Sequence, residues 1–378
     1  MKAGKPKPLP RVQGVEMLRS LLLAALALSA LAVRAAQRVT VEQLRQCLAQ
    51  QQAARESDAE AALQLSSLEL SERLTGETLA RLKSEFHPGE KTIEELELLA
   101  DLSAFFDPPA PELPQKAAPD AVAQQEMLRE ATNFATNTLA HLPDFLATRT
   151  TFNYEDMPVL TDDSSFQSGL HPVGSSVREV AYRKGLEFSS GAPSARAAGA
   201  PAAAAPSLSS AGEFGPILAT VMTDSAQGNV TWNHWEQTPD GPAAVFSYGV
   251  PQEASHYKID FCCSRNPVTR TMDSYHGTPA YRGTITVDPS TGAVLRLTLE
   301  ADLETLVPPE HFALVVQYGE VEISGDSLIC PLESAAIFRA VIEARKRTWN
   351  VIHINHASFT NYRRFGSTAK IVPDAAAR

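Results

Sequence analysis

The sequence predicts an α+β protein in which an N-terminal module of short helices precedes a curved antiparallel meander sheet covered by helices. Three observations support this prediction. Helix-capping patterns recur between residues 40 and 106, strand-like alternation of apolar and polar residues begins after residue 143, and short turn-forming links separate the later strands. Connections this short join antiparallel neighbours, because parallel strands need long crossovers.

The first 35 residues have the composition of a secretory signal peptide. Five Lys or Arg residues precede Leu21–Val33, an apolar run of 13 residues, and small residues follow it. A membrane-spanning helix needs roughly 20 apolar residues, so the run is short for an anchor. We expect cleavage before Ala36, which would make the protein periplasmic or extracellular. The alternative is an uncleaved N-terminal anchor, since the run is rich in leucine.

Composition and charge narrow the classes of function. The chain has 378 residues and a formal net charge of −11, and removal of residues 1–35 leaves 27 basic and 43 acidic residues, a net charge of −16. Phosphate backbones and anionic membrane surfaces require a basic face, so neither nucleic acid nor an anionic membrane surface is expected as a partner. No later apolar run is long enough to span a membrane, and four cysteines are too few for a disulfide scaffold.

Residues 36–108 are predicted to form the helical module. Capping boxes occur at Thr40–Gln43, Ser57–Glu60 and Thr92–Glu95, each followed by apolar residues at helical spacing. Pro108 and Pro109 end the last of these helices, and a Pro/Ala linker follows. A longer helix is then predicted from about residue 120 to residue 142.

Residues 120–368 are predicted to form the sheet domain, interrupted by a low-complexity Ala/Pro/Ser insertion at 189–211. Residues 212–225 would form a helix that covers one face of the sheet. The predicted strands are Phe145–Tyr154, Val177–Phe188, Asn229–Gln237, Ala243–Val250, His256–Cys263, Gly283–Val287, Ala293–Ala301, Ala313–Ile323, Leu328–Arg339 and Val351–Phe365.

The segment Tyr281–Leu297 contains two short strands joined by Asp288-Pro289-Ser290-Thr291-Gly292. Together with the helix-then-strand opening, it resembles the central hairpin of periplasmic LolA-like half-barrels, over roughly residues 120–365. The resemblance implies a half-barrel around an apolar cavity plugged by helices, in relatives that carry or sense lipoproteins or lipids. Tyr275–Pro279 is similar to a segment of secreted bacterial proteins of unknown function. The helical module, the Ala/Pro insertion and the acidity depart from the small lipoprotein carriers.

Aromatic and leucine side chains are the candidate ligand contacts. Trp232 and Trp235 lie three residues apart on one strand and are expected to face opposite sides of it. The other interpretation of these apolar residues is an ordinary core. Those that would line an apolar cavity are Trp232, Phe246, Tyr248, Leu295, Leu297 and Leu299.

Cysteine and histidine spacing predicts one disulfide and no metal site. In an oxidising compartment Cys330 can pair with Cys263, or with the adjacent Cys262, because neighbouring strand residues point to opposite faces. The alternative is that all three remain thiols. His353 and His356 share a strand and would also face opposite sides, so they cannot form a ligand pair. No cofactor is expected.

Taken together, these features favour an exported, non-enzymatic binding protein that holds a lipid, acyl chain or lipidated peptide. No Gly-x-Ser-x-Gly elbow nominates a catalytic nucleophile. The alternatives are a secreted hydrolase with a triad assembled from distant loops, or a structural or assembly factor of the cell envelope. The expected partner is a hydrophobic ligand or an envelope protein, and the chain is expected to be a monomer.

Overall fold

The computed structural model describes most of the chain from residue 37 onward. The described ranges are 37–138, 142–157, 159–160, 166–167, 169–184, 186–190, 212–226, 228–265, 272–303, 311–344 and 347–364. The predicted signal peptide and nearly all of the low-complexity insertion lie outside them. Within these ranges, every helix is too short or too polar to cross a membrane.

Four helices and a pair of short parallel strands form the N-terminal module. Its elements are β1 (Gln37–Val39), α1 (Val41–Ala54), α2 (Asp58–Leu65), β2 (Leu68–Leu70), α3 (Gly76–Phe86) and α4 (Glu90–Ser103). The capping boxes predicted at Thr40 and Ser57 are both present. The module has its own core, in which Leu44, Leu65 and Leu96 are completely buried.

The third predicted capping box is wrong, because Asp58 of α2 supplies the cap of α4. Its carboxylate accepts hydrogen bonds from the backbone N–H groups of Lys91 and Thr92, both at 3.0 Å, and from the Thr92 hydroxyl at 2.7 Å. The helix begins after Gly89, whose hydrogen atoms leave room for the carboxylate; a Cβ there would lie 2.4 Å from Asp58 Cγ. The cap therefore ties α2 to α4.

A linker and a fifth helix lead into the sheet. Residues 110–112 form one 3₁₀ turn, and α5 (Ala121–Asn133) begins at the N-cap Asp120. The α-helix is shorter than predicted, because it ends at Asn133. One π-helical turn, Phe134–Thr138, follows it. A sixth helix, α6 (Pro216–Ser225), lies near the middle of the chain.

Ten strands form one open antiparallel sheet. Two further antiparallel pairs are not hydrogen-bonded to this sheet. They are β4 (Val159–Leu160) with β5 (Phe166–Gln167), and β10 (Ile259–Arg265) with β11 (Met272–Gly277). Listed in their spatial order, the ten strands are β7 (Leu186–Ser190), β6 (His171–Arg183), β3 (Phe145–Glu155), β16 (Arg347–Arg364), β15 (Asp326–Ala344), β14 (His311–Ile323), β13 (Val294–Asp302), β12 (Tyr281–Val287), β9 (Gly241–Val250) and β8 (Asn229–Thr238).

The α+β class and the open antiparallel sheet, which is consistent with a half-barrel, agree with the prediction, but two predicted strands differ. The strand Val177–Phe188 is two strands, β6 and β7, because the chain turns at Lys184 with a φ of 50°. The strand His256–Cys263 leaves the meander and pairs with β11, so that β9 pairs with β12 instead. The first long strand, β3, pairs with the last, β16.

The sheet has apolar residues on both faces. On the core face, residues of nine of the ten strands form one buried cluster with residues of α5 and α6, including Leu218 and Val221. On the outer face, Leu98 of α4 packs against Ile337 and Ile354. The helical module therefore contacts the middle strands from the side opposite α5 and α6.

Candidate functional site

A cleft of about 1440 Å³ opens at one end of the sheet. In an antiparallel sheet every second connection falls at the same end, so three turns meet here: β8 to β9, β12 to β13 and β14 to β15. The N-terminus of α3 and the linker at residues 108–116 form the opposite wall. We call this space the turn-end cleft.

The floor of the turn-end cleft is apolar and partly exposed. Leu332 is 39% exposed, and Leu328 and Ile329 are half-buried on the same strand, β15. Phe134 and Leu295 complete this floor. Five apolar side chains at one open cleft are the feature that a hydrophobic ligand requires.

Leu295 reaches the cleft because of a β-bulge. In the pairing of β12 with β13, Thr286 is opposite Arg296, but the next residue, Val287, is opposite Val294. Leu295 is therefore left unpaired, and Val294 takes its place in the core, where it is completely buried. A bulge of this kind reverses the side-chain alternation that the sequence shows.

Most of the predicted ligand contacts are enclosed by protein. Phe246 and Leu299 are completely buried, Leu297 is 1% exposed, and the Tyr248 hydroxyl donates a hydrogen bond of 2.6 Å to the carbonyl oxygen of Thr298. These side chains pack in the core cluster with α6. A ligand that contacted them would have to displace that helix.

The tryptophan pair differs from the prediction. Trp232 and Trp235 share one side of β8, with ring centroids 5.0 Å apart, and Trp232 also lies 5.6 Å from Phe246. The cause is again a bulge, since the register of β8 with β9 shifts between Trp232 and His234. Trp235 is buried, and its indole N–H donates a hydrogen bond of 2.8 Å to the Ala117 carbonyl of the linker.

A charged network fills the interface between the helical module and the outer face. Arg73 forms an ion pair of 2.5 Å with Glu236, and both side chains are largely buried. Burial raises the pKa of Glu236, but His234, whose Nε2 lies 3.8 Å away, and the charges of Arg73 and Arg296 lower it to about 2. Burial and the charge of Arg73 lower the pKa of Arg296 to about 9. These groups border a small cavity of about 200 Å³.

His353 and His356 lie on opposite faces of β16, as strand alternation predicts. His353 stacks on Phe338 at 4.6 Å on the core face, and burial lowers its pKa to about 4. His356 lies on the outer face, where its Nδ1 is 2.9 Å from the Asp101 carboxylate of α4. Burial lowers the pKa of His356, but the charge and hydrogen bond of Asp101, together with the charges of Glu333 and Glu97, outweigh burial and raise it to about 9.

Sequence reasoning missed a polar cluster at the opposite end of the sheet. The completely buried carboxylate of Asp224 is 2.6 Å from His256 Nδ1 and accepts hydrogen bonds from the His256 backbone N–H and the Tyr281 hydroxyl, both at 2.8 Å. In a catalytic triad, an aspartate orients a histidine, and the histidine activates a nucleophile such as serine. The pair of Asp224 and His256 matches the first two of these three groups. Among the described residues, no Ser, Thr or Cys side chain hydrogen-bonds to His256. The cluster holds the segment after β9 against α6 and β12.

A completely buried carboxylate, Glu213, and a half-buried one, Glu187, lie beside α6. Glu213 is completely buried and pairs with Arg149 at 3.2 Å, while Glu187 of β7 accepts a hydrogen bond of 2.8 Å from the Gly212 N–H. Burial and the negative charge of Glu213 raise the pKa of Glu187. These contacts hold Gly212 and Glu213, which precede α6, against the strands β7 and β3.

The predicted disulfide stays a prediction. Cys330 is buried, and burial raises the pKa of its thiol to about 12. The side chains of Cys262 and Cys263 lie outside the described part of the structure, although their strand, β10, packs against β15. Non-reducing peptide mapping should show Cys330 linked to one of them. Within the described ranges, no group of three or more His, Cys, Asp or Glu residues could hold a metal ion.

Comparisons with known proteins give two weak structural similarities. The crystal structure of a LolA superfamily protein from Nitrosomonas europaea matches 64% of this chain and 93% of its own, with 9% identity and a TM-score of 0.25. The structure of MucB in complex with MucA(peri) matches 66% and 100%, with 10% identity and a TM-score of 0.18. No family model matches the chain, and no curated protein does. Both similarities amount to a weak relationship in fold.

Proposed function

We propose that this protein is a non-enzymatic binding protein that holds a hydrophobic ligand in the turn-end cleft. The ligand is a lipid, an acyl chain or a lipidated peptide. The observation that carries the proposal is the partly exposed apolar floor of the cleft, which includes Leu332. Apolar side chains that remain exposed in a large cleft are stabilised when a ligand covers them.

The cleft is a better site than the sheet interior. Phe246, Leu297 and Leu299 already have protein neighbours on all sides, so a ligand there would gain little apolar burial. Leu295, the predicted contact that the bulge turns outward, lines the cleft. A ligand in the cleft needs no displacement of α6.

The proposal includes export. It is supported by the basic residues before Leu21–Val33 and by the shortness of that apolar run. N-terminal sequencing of the protein from its own host should begin near Ala36. A sequence that begins at Met1 in envelope material would contradict cleavage before Ala36 and favour the uncleaved anchor, and it would leave the proposal for the cleft unchanged.

The ligand site is tested by thermal unfolding with monoacylglycerols of increasing chain length, which have a neutral head group. A ligand that binds only the folded state raises its stability by mass action, and each buried CH₂ adds up to about 0.8 kcal/mol. The melting temperature should therefore rise with chain length. A charge in the floor, Leu332→Asp, should abolish this rise.

Leu63→Asp is the matched control, because Leu63 is 63% exposed and lies on α2, away from the cleft. It should keep the dependence on chain length. A flat response of the wild-type protein, or equal responses of the two variants, would overturn the proposal. Melting curves without ligand establish that both variants fold.

A further inference from the structure

The walls of the turn-end cleft carry three exposed carboxylates. Glu77 lies in the first turn of α3, Asp240 in the turn between β8 and β9, and Glu320 near the end of β14. Among the described residues, none of the three takes part in an ion pair. They belong to three different walls, so a ligand in the cleft meets negative charge from several directions.

The positive groups of the cleft are already engaged. Arg81 lies 3.8 Å from Glu112, Lys116 sits 3.7 Å above the ring of Trp235, and Arg296 donates a hydrogen bond to the carbonyl oxygen of Ala104. The lining of the cleft has six carboxylates and three basic side chains, so its net charge is negative. An anionic head group in the cleft would be repelled, and a cationic group would be attracted.

The volume of the cleft indicates an occupant that is larger than one small molecule. Its volume of about 1440 Å³ exceeds the roughly 300–1,000 Å³ of sites that enclose one small molecule. The apolar floor of Leu328, Ile329 and Leu332 continues between the acidic walls. A chain segment with apolar side chains for the floor and positive side chains for the walls matches both features.

We infer that the occupant of the turn-end cleft is an extended peptide segment of a protein partner, in which Lys or Arg side chains flank apolar ones. The inference rests on the proposed function, because it uses the same apolar cleft, and it takes the ligand to be a peptide whose own side chains supply the apolar groups. The floor binds the apolar side chains, and Glu77, Asp240 and Glu320 bind the cationic ones.

The test is fluorescence anisotropy with two labelled peptides of equal length, one alternating Leu with Lys and the other Leu with Glu. The full-length protein should bind the Leu/Lys peptide and not the Leu/Glu peptide, and added salt should weaken binding because the carboxylates are exposed. The triple variant Glu77→Gln, Asp240→Asn, Glu320→Gln should bind about tenfold more weakly, since each exposed charge contributes modestly.

A matched triple variant, Glu69→Gln, Glu90→Gln, Glu253→Gln, removes the same charge from exposed positions outside the cleft. It should bind the Leu/Lys peptide as the wild-type protein does. Equal loss in both triple variants would mean that only the net charge matters, and it would overturn the inference.

Two further outcomes separate the inference from the proposed function. If both peptides bind equally and Leu332→Asp abolishes binding, the cleft is an apolar site and the inference of a cationic segment fails. If Leu332→Asp changes neither peptide binding nor the response to monoacylglycerols, the proposed function fails as well. Preferential binding of phosphatidylglycerol vesicles over the Leu/Lys peptide would also overturn the inference, because an anionic surface would then be the occupant.

Discussion

Two histidines three residues apart in β16 show how the environment sets the charge of a side chain. His353 is enclosed by the core, which disfavours its protonated form. His356 is also shielded from water, but Asp101 of the helical module lies 2.9 Å away and favours the protonated form. His356 therefore contributes a positive charge to the interface between the module and the sheet.

Replacing His356 should make stability less dependent on pH. A histidine whose pKa is raised by folding, here from 6.5 to about 9, stabilises the folded state fully below 6.5, and that stabilisation is lost as the pH rises through 9. We expect the free energy of unfolding of the wild-type protein to fall between pH 7 and 10 by on the order of 2 kcal/mol more than that of His356→Gln. Urea titrations over this range measure the difference.

His276→Gln is the control for this prediction. His276 also pairs with an aspartate, Asp260, at 2.8 Å, but both side chains are more than 60% exposed. Solvent screens such pairs, so the control should follow the pH dependence of the wild-type protein. Parallel curves for His356→Gln and the wild-type protein would show that the pair with Asp101 adds no stability.

Among the elements, the bulged strands decide which side chains reach the core. β13 has apolar residues at 295, 297 and 299, a pattern typical of one buried face. The bulge opposite Thr286 and Val287 separates the first of these from the other two. Side chains that look equivalent in sequence therefore differ in burial.

Alanine substitutions in β13 should differ in cost. Leu297→Ala removes a completely enclosed side chain and should lower the free energy of unfolding by about 2–5 kcal/mol. Leu295→Ala removes a half-buried side chain at the cleft and should cost less than about 1.5 kcal/mol. Chemical denaturation measures both variants, and equal costs would contradict the assigned bulge.

Two glycines in turns at the same end of the sheet offer a second comparison. Gly292 and Gly325 both have positive φ, 73° and 93°, so alanine is strained at either position. A Cβ on Gly292 would also lie 2.7 Å from the backbone of Glu130 at the end of α5, whereas one on Gly325 would meet open space. The turn between β12 and β13 thus needs glycine at position 292, because α5 packs directly against it.

Gly292→Ala should therefore be more destabilising than Gly325→Ala. Backbone strain costs both variants about 1–2 kcal/mol, and the collision with Glu130 is added only in the first. Thermal unfolding of the two variants measures the difference. Equal melting temperatures would show that α5 can move away from the turn without cost.

At the scale of the whole molecule, helices pack against both faces of the sheet. The helical module contacts the outer face at two places. Leu98 of α4 makes apolar contacts there, and Arg73, which lies between β2 and α3, forms an ion pair with Glu236 of β8. A buried ion pair adds little net stability, but removing one partner leaves the other charged and without compensation. The interface should therefore tolerate loss of both charges better than loss of one.

A double-mutant cycle tests this interface. Arg73→Met should lower the free energy of unfolding by about 3–5 kcal/mol, and Arg73→Met with Glu236→Leu should lower it less than the sum of the single variants. Arg45→Met with Glu85→Leu is the control, since that pair is exposed and lies within the module. Additive effects at Arg73 and Glu236 would mean that the charges do not act as a pair.

Local patterns in the sequence predicted the class of the fold and most of its strands. Thr40 and Ser57 were assigned as helix caps because a cap depends on residues three positions apart. The opposite faces of His353 and His356 followed from the two-residue repeat of a strand. Such features need only near neighbours along the chain, so a single sequence contains them.

Contacts between distant residues decided the rest. Asp58 caps α4 from another helix. The bulges in β8 and β13 depend on the register of the neighbouring strands. The turn at Lys184 divides one predicted strand into β6 and β7, which pair with each other. The burial of Phe246 and Leu299 depends on α6, and the docking of the helical module on the outer face depends on α4. The cleft exists because three turns, a linker and a helix end meet in space. Sequence periodicity shows which side of an element is apolar, whereas its partner is chosen by packing across the whole chain.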